Sequence, residues 1–529
     1  MNALAWTAGL GIALLVPMGM GAFAAEPAAG GIYTCVDANG RRITSDRPIS
    51  ACLDREQREL GATGNVRRII GPSLTEHERT VQATQQRLGE LGLFGGVNVG
   101  LEDPDLEAPV KVLRVQLVER RPQSLELRGG YSLGEGVRFG FEYTHLNVLG
   151  RAVSFGLQAR GGYLLQIPNV TPTFPPEINP SFSDLLNWRV AASLGFPFVP
   201  LLGPSWGAAV DLSTVRQLQP PFYALATHSV GASLLFSALR HFTMTFTGEL
   251  QYVITQPFGA ETIAGLVQDY PTRCLANGNT PEACTAFQQV LVQQLLRYSD
   301  GESVLGAFRV GAQYDRRNSA LSPTRGFVAS VTAETLQVIS ASNPNLSPFT
   351  LHLTARVTGY VPIPLGRMVL LLSGRVGRNF GGTATQSTHP SRRFWLGGAD
   401  AMRGWQQNQL IPQDLIDAAL TDPSSSNPLV RGSSGGEFFL VAVADLRIPT
   451  PLDTPLGNVQ LAAFVDVGNL WARPPSFDQL YRLRVSPGFG VRLDSPFGLI
   501  SIDFGFNPWR VPEVGERTWN FQFSLGSVT

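Results

Sequence analysis

Six histidines, four cysteines, one Gly-x-Ser-x-Gly run and a few charged residues inside apolar segments are the places where this chain could do chemistry. Gly130-Tyr131-Ser132-Leu133-Gly134 matches the nucleophile elbow, which needs a strand that turns sharply into a helix. Here the run ends a strand pattern and enters a hairpin tip, so Ser132 is not expected to attack anything. The histidines show no H-E-x-x-H or other ligand spacing, and no histidine accompanies either cysteine pair. No metal, cofactor or enzyme activity is expected. What remains is ionic. Arg403 sits in the run RRFWLGGADAMRGW, residues 392–405. Its guanidinium has five donors in a planar fork and cannot shed its charge. Away from bulk water it needs a carboxylate. Asp466 lies between Val465 and Val467, and Asp445 precedes Leu446. On strands, each would face away from its apolar neighbours.

The elements that would bring these groups together follow from composition and periodicity. Lys+Arg and Asp+Glu both number 41, and charged residues are only 16%, against roughly 25% in soluble proteins. Hydrophobic residues reach 43%, yet no stretch approaches the roughly 18 apolar residues of a membrane helix. Zero net charge disfavours nucleic acid, which needs a basic stripe. Low charge with 56 glycines and 30 phenylalanines fits a transmembrane β-barrel, whose apolar residues recur at every second position. After Pro122 the period is two. Val137, Phe139, Phe141 and Tyr143 alternate with Arg138, Gly140 and Glu142, and Ile500, Ile502, Phe504 and Phe506 with Ser501, Asp503 and Gly505. The pattern predicts sixteen strands from Ser124 to the C-terminus. Their connections alternate. Short ones are Asn147–Arg151, Phe198–Ser205, Ser237–His241, Arg316–Gly326, Pro362–Gly366, Pro449–Gly457 and Asp494–Gly498. Long ones include Leu164–Leu186, Gln256–Gly301 and Asn379–Gly435. Short turns belong to the periplasmic side of such barrels and long loops to the outside. The loop 379–435 is far longer than two strands need, which points to function. Gly397, Gly398 and Gly404 permit the tight backbone of a loop tucked into the lumen. Arg403 at its tip is then expected to meet Asp466, with Asp445 as a second acceptor.

Residues 1–25 read as a signal peptide, with an apolar stretch from Leu10 to Val16 and small residues at Ala22 and Ala24. Residues 26–72 form a small segment in which Asp37-Ala38-Asn39-Gly40 marks a hairpin between IYTCV and RRITS. Residues 73–122 carry a helical stripe of Val81, Thr84, Leu88 and Leu91, then strands at 93–99 and 110–119. Export makes disulfides permissible. Under the barrel topology Cys35 and Cys52 lie on one side of the membrane and Cys274 and Cys284 on the other, so two local bridges are expected.

Residues 31–54 resemble a small envelope domain of unknown function, through an early aromatic, Val36-Asp37-x-x-Gly40 and Ser45-Asp46-Arg47-Pro48. The helix–strand–strand segment with LGLFGGVNV and VKVLRVQLVERRPQ resembles the last half of a POTRA domain, truncated or divergent. Four barrel segments resemble the BamA/TamA superfamily of outer-membrane assembly proteins: ELRGGYSLGEGVRFGFEYTHLNVLGRAVSF, YDRRNSALSPTRGF, RRFWLGGADAMRGW, and FVDVGNLW followed by SPGFGVRLDSPFGLISIDFGFNPW. The resemblance implies that Arg403, Gly404 and Trp405 form an inward loop anchored to acids on neighbouring strands; Trp405 stands where Phe is usual. It also implies a weak lateral seam between a first strand with Gly129-Gly130 and a last strand with Trp519, Phe521 and Phe523. The chain ends at Thr529 without the usual terminal aromatic. The implied fold is all-β, a sixteen-stranded outer-membrane barrel behind a small α+β periplasmic segment. The implied function is assembly or translocation of client proteins in a Gram-negative outer membrane, with lipid, clients and a periplasmic partner as contacts. A two-partner-type secretion pore and a passive pore or structural remnant are the rivals.

Overall fold

A computed structural model describes residues 32–36, 42–45, 57–60, 66–70, 84–85, 88–89, 92–101 and 113–525, the last apart from short turns and the loop stretches 168–178, 259–300, 382–385 and 422–434, within which Thr171, Thr280 and Pro281 are described. The signal-peptide segment, Cys52, Cys274 and Cys284 lie outside the described residues. The chain divides into two units.

The N-terminal unit holds two small sheets. In the first, β1 (Ile32–Val36) pairs with β2 (Arg42–Ser45) in the register Tyr33–Ser45 to Val36–Arg42. Two further strands, β3 (Gln57–Leu60) and β4 (Val66–Ile70), extend it in the order β2-β1-β3-β4. Residues 55–79 carried no strand signal in the sequence; their apolar residues are too sparse to show period two. The second sheet pairs β5 (Phe94–Leu101) with β6 (Leu113–Glu119). Ahead of it Thr84, Gln85, Leu88 and Gly89 are helical, while Val81 and Leu91 lie outside the described residues. Cys35 is disulfide-bonded.

The second unit is a closed barrel of sixteen strands, each antiparallel to its neighbours. They are β7 (Gln123–Ser132), β8 (Gly136–Val148), β9 (Val153–Tyr163), β10 (Leu186–Phe196), β11 (Trp206–Gln219), β12 (Tyr223–Leu239), β13 (Phe242–Pro257) and β14 (Gly301–Asp315). The second half comprises β15 (Gly326–Ala341), β16 (Phe349–Ile363), β17 (Met368–Phe380), β18 (Phe438–Thr454), β19 (Gly457–Trp471), β20 (Arg484–Ser495), β21 (Gly498–Phe506) and β22 (Trp519–Leu525). Closure satisfies the backbone without an open edge, the condition for strands that cross lipid. Along β8, Val137 and Phe139 are 47% and 64% exposed while Arg138 between them is 8% exposed. Apolar residues face out and the charge faces in. One connection differs from the sequence reading. β18 continues to Thr454 through an irregularity between Pro449 and Asp453, and β19 starts at Gly457, so the connection is shorter than Pro449–Gly457. Pro449 and Pro451 look like turn residues, but an irregular stretch of ladder accommodates residues that cannot donate.

The apolar core sits inside the barrel, in the β17–β18 loop and the walls it touches. Trp395 packs with Tyr223, Leu225, Val253, Phe258, Leu305 and Leu336 on the β12–β15 wall. Phe394, Leu396, Met402, Trp405 and Leu410 pack with Phe439, Val441 and Leu470 on the β18–β19 wall. Two adjacent aromatics thus anchor the loop on two stretches of the wall, Trp395 on β12–β15 and Phe394 on β16–β18. A helix in the same loop, α1 (Gln413–Thr421), buries Ile416 and uses the Asp414 carboxylate to accept from the backbone N–H of Ala472 and Arg473 at 2.8 and 3.1 Å.

Candidate functional site: the inward loop and the strand seam

The loop descends as a hairpin. Leu410 N–H donates to Leu396 O at 3.1 Å, and Gly398 N–H to Trp405 O at 3.0 Å. Gly397 and Gly398 have φ of +104° and +105°, a region that a side chain rarely adopts. Gly404 is needed for a different reason. A Cβ there would lie 2.7 Å from Ser486 Oγ and 2.8 Å from Phe506 O, so the tip presses directly on β20 and β21.

At the tip, Arg403 is 3% exposed. Its Nε and terminal nitrogen donate to the two Asp466 oxygens at 3.0 and 2.7 Å, and its backbone N–H donates to Asp466 Oδ2 at 2.9 Å. The other terminal nitrogen donates to Asp445 Oδ2 at 3.0 Å. The guanidinium carbon lies 3.3 Å from the centroid of the Phe464 ring, in cation–π contact. Arg492 joins the group, donating to Asp503 at 2.5 Å and to Asp445 at 3.3 Å. Two arginines therefore meet three aspartates. Asp445 comes from β18, Asp466 and Phe464 from β19, Arg492 from β20 and Asp503 from β21. Burial alone would lower the Arg403 pKa, but the hydrogen bond and charge of Asp466 more than offset this and hold it above its ordinary value. Asp466, Asp445 and Asp503 are buried with Arg403, so little water reaches the cluster.

A second ionic cluster holds the loop's descending arm. Arg392 pairs through Nε with Glu334 on β15 and donates to Gln251 on β13 at 3.1 Å. Glu334 also takes Arg309 of β14 at 2.5 Å. A third set surrounds Trp405. Its indole N–H donates to Glu516 at 3.0 Å, and Glu516 also accepts from Arg484 at 2.6 Å. Its carbonyl accepts from the Gln522 side chain at 2.9 Å.

The barrel closes between β7 and β22. β7 stays in register with β8 from Gln123–His145 to Ser132–Gly136. With β22, the described register has two pairs, Ser524–Ser132 and Leu525–Tyr131. One more backbone bond, Leu133 N–H to Phe523 O at 3.2 Å, adjoins them. β7 itself is ten residues long. Its glycines pair normally with β8. Gly130 closes tightly on β22, since a Cβ there would lie 2.7 Å from Leu525 O. Trp519 is outward and 57% exposed, Phe521 and Phe523 are partly buried, and Tyr131 lies 5.8 Å from Phe523 across the seam.

A model for the Omp85 superfamily domain matches residues 121–528. The chain belongs to the Omp85 superfamily. A domain of unknown function matches residues 20–76. Among curated relatives, the outer membrane protein assembly factor BamA of Neisseria meningitidis is 24% identical over 262 residues, 44% of this chain and 30% of the relative. BamA of Neorickettsia risticii is 30% identical over 149 residues, 27% of this chain and 18% of the relative. The chain therefore spans less than a third of these relatives. The crystal structure of BamA from Haemophilus ducreyi lacking POTRA domains 1–3 superposes with a TM-score of 0.57 at 15% identity, covering 94% of this chain and 88% of that one. This last likeness is one of fold. Membership and the closed barrel put this Omp85 protein in the outer membrane of a Gram-negative bacterium.

Within the family framework, the sequence reading named Arg403, Asp466 and Asp445 but passed over Arg492, Asp503, Glu334, Arg392, Glu516 and Arg484. Period two would have turned Asp503, Arg492 and Glu334 inward. Nothing in the sequence pairs Glu516 with Trp405, since one lies in the β21–β22 connection and the other at a loop tip. Ser132 ends a strand at a hairpin tip and has no helix after it. Among the described residues no group of His, Cys, Asp and Glu is placed to hold a metal.

Proposed function

We propose that this Omp85 protein helps client proteins fold into, or cross, the outer membrane without a nucleotide. The observation that carries this reading is the closure between β22 and β7, the last and first strands of the barrel, where Ser524 pairs with Ser132 and Leu525 with Tyr131 and the bare Gly130 stands against Leu525 O. A strand edge freed there can offer its N–H and C=O groups to a client strand. The client's own burial and pairing supply the free energy, and the barrel lowers the barrier. The Arg403 cluster keeps the loop seated while the wall moves. The N-terminal unit stands in the periplasm, where the β5–β6 sheet meets a partner or an incoming chain. Cys35 then bridges to Cys52, and Cys274 to Cys284 outside the cell; peptide mapping that linked Cys35 to Cys274 would overturn this topology.

A dedicated secretion pore shares the barrel and the loop. A passive pore fits less well, because Phe394 and Trp395 anchor the loop inside the lumen on two stretches of the wall. The deciding experiment is a deletion strain analysed by quantitative outer-membrane proteomics. Broad loss of barrel proteins supports general assembly, loss of one exported protein supports dedicated secretion, and no loss sinks both.

A further inference from the structure

Trp405 and Gln407 stand two residues apart on the loop tip and touch opposite sides of the seam. On the last-strand side, the Trp405 carbonyl accepts from Gln522 of β22 at 2.9 Å. The Trp405 indole N–H donates to Glu516 in the β21–β22 connection at 3.0 Å. Glu516 is itself fixed, taking Arg484 at 2.6 Å and the Val511 N–H at 2.9 Å. On the first-strand side, Gln407 packs on the bare backbone of Gly134, in the turn between β7 and β8. A Cβ at Gly134 would lie 2.7 Å from the Gln407 Cβ and Cγ. Trp405 and Gln522 are 4% and 5% exposed.

We infer that the loop tip is a latch that closes the seam from inside the barrel, with Trp405, Gln522 and Gln407 as its positioning residues. The inference rests on the proposal that the seam opens. Its two sides differ in strength. The last-strand side has directional hydrogen bonds, one to a charged carboxylate, and these are the stronger kind. The Arg403 cluster holds the tip to β18 and β19 as well. The first-strand side has van der Waals packing alone, worth a fraction of a hydrogen bond per atom pair. The latch must therefore part at Gln407. The loop stays with β22, and the β7–β8 hairpin swings away. The indole bond is particular to this chain, because the Phe usual in the motif has no N–H to donate.

The test is a cysteine pair at the two residues that face each other across the seam, Ser132→Cys with Ser524→Cys, in the full-length protein in phospholipid vesicles. The rate at which an impermeant maleimide alkylates the reduced pair reports opening. Trp405→Phe keeps the ring and removes the donor, and Gln522→Leu removes the other bond. Both bonds stay formed when the latch parts at Gln407, so these two variants should be alkylated at the parental rate. Gly134→Ala pushes Gln407 off the turn and should raise the alkylation rate without touching the last strand. Heat-modifiable mobility on gels checks that each barrel is folded. In every opened form the loop should keep its protease protection. Alkylation at the parental rate in Gly134→Ala overturns the latch while leaving an opening seam intact. Loss of loop protection along with opening overturns the stated direction. A pair that is never alkylated in any of them removes the opening seam itself, and the latch with it.

Discussion

The two arms of the inward loop are held by ionic clusters of different balance. At the tip, Arg403 and Arg492 face three aspartates, so acid is in excess. On the descending arm, Arg392 and Arg309 share one close carboxylate, Glu334, and a second, Glu249, reaches only Arg309 at 3.9 Å, so no acid is in excess and both arginines depend on Glu334. The consequence of losing a member depends on what it leaves behind. Removing the scarce partner strands buried charge of one sign, and removing an abundant one leaves the rest paired. Arg403 is scarce at the tip. Glu334 is scarce on the arm. Arg392 is not.

This contrast orders the expected effects. Arg403→Ala should be the most severe. It leaves Asp466, which is fully buried, without its cation, a loss of about 3–5 kcal/mol for a broken buried pair. The barrel should still fold, with a protease-sensitive loop and no assembly activity. Arg403→Lys should fail too, since an ammonium cannot span both Asp466 oxygens and reach Asp445. Asp466→Asn should give a milder form, because Asp445 still receives the guanidinium. A fully active Arg403→Ala with a protected loop would leave the likeness to the family one of fold alone.

Glu334→Gln comes next. It keeps the shape but leaves two arginines facing each other with no carboxylate between them. Gln251 still accepts from Arg392, and Glu249 lies 3.9 Å from Arg309, so the loss should be about 1.5–3 kcal/mol, that of charged hydrogen bonds. Proteolysis should cut the loop near residues 386–392 before it cuts near 403. Arg392→Ala should cost less than Glu334→Gln, because Glu334 keeps Arg309. If Arg392→Ala proved the more damaging of the two, the argument from scarcity would fail.

The sequence showed the fold more fully than the site. Period two is a property of each strand alone, so the sixteen strands and most turns could be read directly, and the last strand carries Trp519, Phe521 and Phe523 as read. Asp466 and Asp445 were legible for the same reason, because Val465 and Leu446 fix which way their neighbours point. The arm cluster was not. Arg392 and Glu334 lie 58 positions apart, and the loop had to be threaded through the lumen before one could find the other. Phe394 and Trp395 read as part of a motif, and only the fold shows that they anchor the loop on two different stretches of the wall. At the seam, the glycines of β7 drew attention, yet which residues of β22 face them is a matter of register that period two does not encode.

The smallest effect sharpens the same comparison through pH. His389 sits at the start of the arm, 1% exposed, with its Nδ1 accepting from the Ser391 N–H at 3.2 Å. Burial, with the charges of Arg392 and Arg393 beside it, pushes its pKa down to about 3 from the ordinary 6.5. The seated loop therefore refuses a proton that a released loop accepts. Seating is at full strength above pH 6.5 and weakens steadily as the pH falls from there towards 3. With Arg392 and Arg393 beside it, His389 tolerates another cation poorly, whereas the acid-rich tip would welcome one. Protease cutting of the arm should thus accelerate between pH 7.5 and 5 while cutting at the tip changes less. His389→Asn keeps an acceptor for the Ser391 N–H and does not titrate, so it should flatten most of this slope. An unchanged slope in that variant would assign the pH response to another group and leave His389 a structural cap.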